Sequence, residues 1–417
     1  MISFARKNHS IVLNFEFFIA RRISYKSHRP FSRAIIRIAL LAVALSVAVM
    51  IISDAIIVGF QNEIKQKICS FTSHIVAGKL KSNFLFENDP VTVDKKFIDS
   101  VKKTSYVSYI QLFATKPGIL KTENSIDGVV LKGVDKNYNW NYVTLESFEG
   151  KTISFHDSDA SNDIVISHAM ANSLNLKTGD KVIMYFIRDG IRARDFYVSG
   201  IYKTGVEEID KLFIICDMKQ IQELNNWTMN QAGGYEIFIK DFNKLDEVNE
   251  KIRGLVDMSM DTKTIRQRYP QIFDWLGLLD ANIRVILILM AVVATINMIT
   301  ALLIMILERT RMIGVMKALG STNWSLQKIF LINGMMLIGL GLILGNTFGF
   351  GLLLIQKHFH LMKLPEESYY LSEVPVYFEW AHIILINAGA FVVCSIALLL
   401  PGILVSRIRP VKAIRFE

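Results

Sequence analysis

Few side chains in this 417-residue chain stand where they could make or break bonds. His156 and His168 each stand alone, and a lone histidine is ordinarily a surface or packing residue. Asp157, Asp159 and Asp163 are spaced like part of an acidic calcium loop. The loop glycine and closing glutamate are missing, so a solvated turn suits them better. No GxSxG, HExxH or GxxxxGK[ST] pattern occurs, which removes the common hydrolase, zincin and nucleotide-loop chemistries. The three cysteines, Cys69, Cys216 and Cys394, lack CxxC or Cys/His metal spacing. The informative polar residues lie in or beside apolar runs. Asp54 and Asn297 sit inside two of them. Gly341, Gly345 and Gly349 recur every four residues in a third. The charged segment 308–320, ERTRMIGVMKALG, separates the run of Asn297 from that of the glycines. These types suit helix contact and partner docking, not catalysis.

The runs that hold them read as membrane spans. About 20 apolar residues are needed to cross a bilayer, and four segments qualify: 35–58, 283–307, 329–356 and 381–405. The first is expected to be an uncleaved anchor, because the 34 residues before it are long for a signal n-region. Four-residue glycine spacing gives the third span a smooth face for close helix approach, in this chain or another. Asp54 reads either as a polar contact in a cavity or as a headgroup-layer residue near the end of its span. Asn297 suits an interhelical hydrogen bond, with cargo contact as the second reading; together Asp54 and Asn297 mark a cargo-cavity candidate. Residues 11–23, IVLNFEFFIARRI, suit an amphipathic helix lying on membrane lipid within an N-terminal segment 1–34.

Charge orients the spans. Residues 1–37, the 308–328 loop and the 406–417 tail together hold sixteen Lys and Arg against three Glu, in a chain whose net charge is +9. The 357–380 loop instead holds two Lys against four Glu. Positive segments stay inside, so both termini and the 308–328 loop are expected in the cytoplasm and 59–282 outside. The basic balance is then a topology signal, and no nucleic-acid partner is expected. Cys69 and Cys216 would face an oxidising compartment, where a disulfide could form; Cys394 suits packing within the fourth span.

The 59–282 segment reads as a mixed α/β domain. Strands are expected at 73–80, 106–113, 128–134, 163–167, 181–187, 194–201, 212–216 and 235–239. Helices are expected at 93–103, 168–174, 218–224 and 245–254. Asp189-Gly190 signals a tight hairpin. A β-rich part at about 120–228 would be inserted into a membrane-proximal part built from both ends. The fold class is therefore an α-helical membrane protein with four spans and a large α/β domain between the first two.

The string ERTRMIGVMKALGSTNW, 308–324, resembles the signature loop of the FtsX/MacB superfamily of ABC-transporter permeases. So does the ending with Pro401 followed by PVKAIRFE, from Pro410 to Glu417. DIVISHAMANSLNLKTGDKVIMY (163–185) and FYVSGIYKTGVEEIDKLFII (196–215) resemble the lipoprotein-releasing LolC/LolE-type branch. KLPEESYYLSEVPV (363–376) and GFQNEI (59–64) resemble that branch too. The resemblance implies a non-catalytic subunit of a Gram-negative inner membrane, paired with a second permease, identical or homologous, and with two copies of a separate cytoplasmic ATPase. ATP and Mg would be bound by that ATPase, with no cofactor in this chain. Lipoprotein cargo would enter between the first two spans and pass to a periplasmic chaperone. Glu308, Arg309, Arg311, Ile313, Met316, Lys317 and Gly320 would form the ATPase-coupling helix, with the arginines pairing to acids and Ile313 and Met316 packing into a groove. One departure is the short 187–194 loop, where chaperone-recruiting relatives carry a longer proline-containing hook. Within the superfamily, a MacB-like efflux permease or an FtsX-type regulator of a periplasmic partner is the alternative. Efflux pumps of this kind carry a fused N-terminal ATPase that is not expected here.

Overall fold

The computed structural model describes residue 16 and residues 30–80, 86–122, 125–140, 147–157, 159–187, 190–365, 369 and 371–407. The tail from 408 onwards, Asp189 and all of the 11–23 stretch except Glu16 lie outside the described residues.

Among the described residues, four helices are long and apolar enough to cross a membrane: Ile36–Thr72, Pro270–Glu308, Asn323–Phe359 and Trp380–Ile403. They outrun the apolar runs that mark them. The first helix is continuous over Pro30–Thr72. Beyond the apolar run it stays helical because Ile64, Ile68 and Phe71 fall on one face and are buried. It ends where Ser73 turns left-handed at φ 60°. The second begins on Pro270, which fits a first helical turn because its missing N–H would be unpaired there anyway. A short helix, Thr310–Ala318, follows it and is closed by Gly320 at φ 92°. The N–H groups of Gly320 and Ser321 bond back to Lys317 and Met316, a glycine C-terminal cap. Thr322 then caps the third long helix, its hydroxyl accepting from the Ser325 amide. The fourth breaks into Trp380–Ala397 and Leu399–Arg407. The break falls at Leu398, ahead of Pro401, whose ring removes a helical donor.

Two compact units result. One comprises 1–60, 277–362 and 374–417; the other comprises 61–276 and 363–373. The first unit has a core of Val47, Ile51, Met298, Leu302, Phe330 and Ile338, among others.

The second unit is built on a ten-stranded sheet. Its strands are β1 (Ile75–Lys79), β3 (Val107–Lys121), β4 (Ile126–Val134), β5 (Ser147–Gly150), β6 (Asp163–Ser167), β7 (Lys181–Ile187), β8 (Ile191–Lys203), β9 (Phe213–Asp217), β11 (Gly234–Ile239) and β12 (Met260–Thr264). The order is β12-β1-β11-β3-β4-β9-β6-β8-β5, with β7 bridging β3 and β8. β2 (Val91–Thr92) and β10 (Gln231–Ala232) form a separate pair. The helices Lys95–Lys103, His168–Leu174, Met218–Leu224 and Leu245–Arg253 stand where the sequence pattern places them, within two residues.

β3 runs farther than its apolar pattern, through Pro117. Pairing with β11 stops at Phe113 and pairing with β7 starts at Ile119. Between those stretches one edge of β3 is open, so a proline costs no ladder bond there. β12 reads MDTKT and has no apolar alternation to announce it; it is a strand because β1 pairs with it along its whole length.

Candidate functional site

The helix Thr310–Ala318 presents one face outward. Arg311, Val315, Ala318, Leu319 and Gly320 are exposed, with Leu319 at 81%. Arg311, Val315 and Leu319 follow four-residue spacing, which aligns them. Ile313 is fully buried in the core of its own unit, and Met316 packs partly against that core. The expectation that Ile313 enters a partner's groove is therefore corrected. Sequence cannot show which side of a nine-residue helix its own bundle covers, whereas packing does. Glu308, Arg309 and Lys317 are half-buried. Burial lowers the Lys317 ammonium from its usual range. At the start of the next helix, Ser325 Oγ donates to Glu16 at 3.0 Å. Backbone hydrogen bonding, then Ser325, holds the Glu16 carboxyl below its ordinary value.

The glycine stripe has a partner within the chain. A Cβ at Gly341 would meet Val43 at 2.7 Å, and one at Gly345 would meet the Ala44 carbonyl at 2.6 Å. At Gly349 it would meet Ala48 at 3.3 Å. The third span thus packs on the first through small residues on both sides.

Asp54 is buried, and its Oδ1 lies 3.2 Å from His382 Nδ1 at the start of the fourth span. Asp54 is the covered partner of this pair, while the His382 side chain is half exposed at 51%. Asn297 is half-buried and makes no side-chain hydrogen bond among the described residues. The interhelical amide pair falls instead at Asn346 and Asn387, bonded both ways at 2.6 and 3.1 Å. Two asparagines in separate charge-free spans were the available signal. The structure does not bring Asp54 and Asn297 together by any direct contact among the described residues. Cys394 is buried, with its Sγ 3.8 Å from Thr295 Oγ1.

In the second unit Cys69 and Cys216 are both free and buried, so the disulfide left open by the sequence is absent here. His156 and Asp157 line a cavity of about 290 Å³ with Asp135, Lys136, Phe155 and Lys219. Lys219 Nζ donates to the Asp157 carbonyl at 2.8 Å. No three acidic, histidine or cysteine side chains gather into a metal site among the described residues. The β7–β8 hairpin pairs tightly up to Ile187 and Ile191, and Gly190 takes φ 124° in the turn.

A buried charged group lies at the end of the first helix, and no local sequence pattern marks it. Lys132 Nζ lies 2.8 Å from Glu236, with both side chains almost fully covered. Burial lowers the Lys132 ammonium, opposed by Glu236. Burial also raises the neighbouring Tyr138 phenol well above its usual value.

The MacB-like periplasmic core domain family matches residues 38–255, more than half of the chain. The chain belongs to this family. The FtsX-like permease C-terminal family matches residues 284–410, which take in the last three spans and the helix between two of them. Among similar proteins is a lipoprotein-releasing system transmembrane protein LolC of Xylella fastidiosa. It is 21% identical over 413 residues, covering 95% of this chain and 97% of its own. A LolC of Buchnera aphidicola is 23% identical, covering 89% and 91%. A LolE of Haemophilus influenzae is 20% identical, covering 96% and 99%. The solved periplasmic region of MacB from Actinobacillus actinomycetemcomitans aligns at a TM-score of 0.31 and 14% identity, over 48% of this chain and 91% of that one.

Proposed function

We propose that this chain is the permease subunit of an ABC transporter that extracts lipoproteins from the outer leaflet of a bacterial inner membrane. The observation that carries the reading is near end-to-end similarity to LolC and LolE proteins. The charge distribution supports cytoplasmic termini and a cytoplasmic 308–328 loop. A separate ATPase, binding ATP and Mg, would dock on the exposed face of Arg311, Val315 and Leu319. A second permease, identical or homologous, would complete the cargo space, and a periplasmic acceptor would receive the lipoprotein. The chain itself would do no chemistry.

Energetics make an ATP-driven device fitting. Each buried CH₂ is worth about 0.8 kcal/mol, so lifting a multiply acylated protein costs on the order of tens of kcal/mol. Coupling to ATP and to an apolar acceptor can offset that; passive binding cannot.

Reconstitution tests the reading. The permease and its cognate ATPase are placed in liposomes holding a labelled triacylated lipoprotein, and ATP and periplasmic extract are added. Label should appear in the soluble fraction only with ATP. Hydrolysis without release, with partner subunit and acceptor present, would overturn it.

A further inference from the structure

The first long helix ends in a buried cage of charge. Its last carbonyls, on Phe71 and Thr72, each accept a hydrogen bond from a cation. Lys132 Nζ donates to Phe71, and Arg268 donates to Thr72 at 2.6 Å. The two cations come from different elements. Lys132 lies on β4, in the middle of the sheet order. Arg268 lies two residues before Pro270, where the second long helix begins. Glu236 on β11 pairs with Lys132 at 2.8 Å and accepts from Gln111 of β3 at 2.7 Å. Lys132 also lies over the Phe71 ring, 4.7 Å from its centroid, and 5.8 Å from that of Tyr138.

Charge balance makes this grip cooperative. Glu236 offsets Lys132, and the positive charge of Arg268 meets the negative end of a long helix dipole, worth roughly half a charge. If the helix end withdrew, both cations would lose acceptors in a water-poor site, and an uncompensated buried charge is heavily penalised. Arg268 Nε, a donor, is already buried with no partner among the described residues, so the loss of the Thr72 carbonyl would add to an existing deficit.

We propose that Lys132, Glu236 and Arg268 are positioning residues that lock the end of the first spanning helix to the sheet, so that displacement of that helix during the ATP cycle moves the external domain. This rests on the transporter reading above.

The test compares the full-length permease–ATPase complex with and without an ATP–vanadate trap, by hydrogen exchange of the β1 and β11 amides. The unmodified chain should show a trap-dependent change in exchange. Lys132→Met combined with Glu236→Gln removes the charge pair while keeping side-chain size. It should fold and hydrolyse ATP normally yet lose the trap-dependent change, whereas Lys132→Arg should retain it. A merely structural pair would alter baseline protection but leave the trap response intact, and that result overturns the proposal. Absence of a trap response in the unmodified chain overturns it as well. Should the double variant fail to fold, Arg268→Met must weaken the response, and an undiminished response is again a refutation. Lipoprotein release is scored separately, so failure of the cargo assignment is distinguishable from failure of the lock.

Discussion

Gly345 shows how one hydrogen atom can decide a helix contact. A methyl group there would lie 2.6 Å from the Ala44 carbonyl and 2.9 Å from Val47 Cβ, so backbone must move. Overpacking of this kind costs about 1–3 kcal/mol. Gly345→Ala should lower the melting temperature of the purified permease in detergent. Gly351→Ala, where nothing lies within 4 Å, should leave it unchanged or raise it. Equal behaviour of the two variants would remove the basis for close packing of the first and third spans.

At the scale of the element, the helix Thr310–Ala318 divides its residues between its own core and an exposed face. Ile313 is buried, so Ile313→Ala should destabilise the permease by about 2–5 kcal/mol, read as a lower melting temperature. Leu319→Asp alters an exposed position and should leave melting unchanged. It should weaken co-purification with the ATPase and uncouple hydrolysis from release. Intact coupling in a well-folded Leu319→Asp variant would mean that the partner docks elsewhere.

Across the whole molecule, stability should respond to mild acid through His74. Burial pushes its imidazole from 6.5 down to about 4. Its neighbours leave it an acceptor: the Ile239 amide points at Nδ1, and Phe238 and Phe242 pack on the ring. A histidine that resists protonation when folded but not when unfolded contributes no penalty above pH 6.5. As pH falls from 6.5 towards 4 the unfolded chain takes up the proton first, so stability drops. The loss at pH 5 is on the order of 2 kcal/mol. Hydrogen exchange of β11 in the full-length protein should therefore be faster at pH 5 than at pH 7 after correction for intrinsic rates. His74→Gln should reduce that difference, and an unchanged difference would assign the acid response to other groups.

The sequence by itself determined the four spans and the order of most strands and helices, because apolar length and periodicity are local properties of the chain. It also carried the similarity that places the chain in its family. It could not reveal β12, whose MDTKT pattern has no alternation and which exists only through pairing with β1. Nor could it choose among the polar residues of the spans: Asn346 and Asn387 meet while Asn297 does not, since helix rotation about its axis is set by packing. Ile313 faced inward for the same reason. The cage at Phe71 and Thr72 joins residues 61 and 196 positions apart in the chain. Only the closed sheet brings Lys132, Glu236 and Arg268 to the end of one helix, where burial turns ordinary surface residue types into a single charged unit.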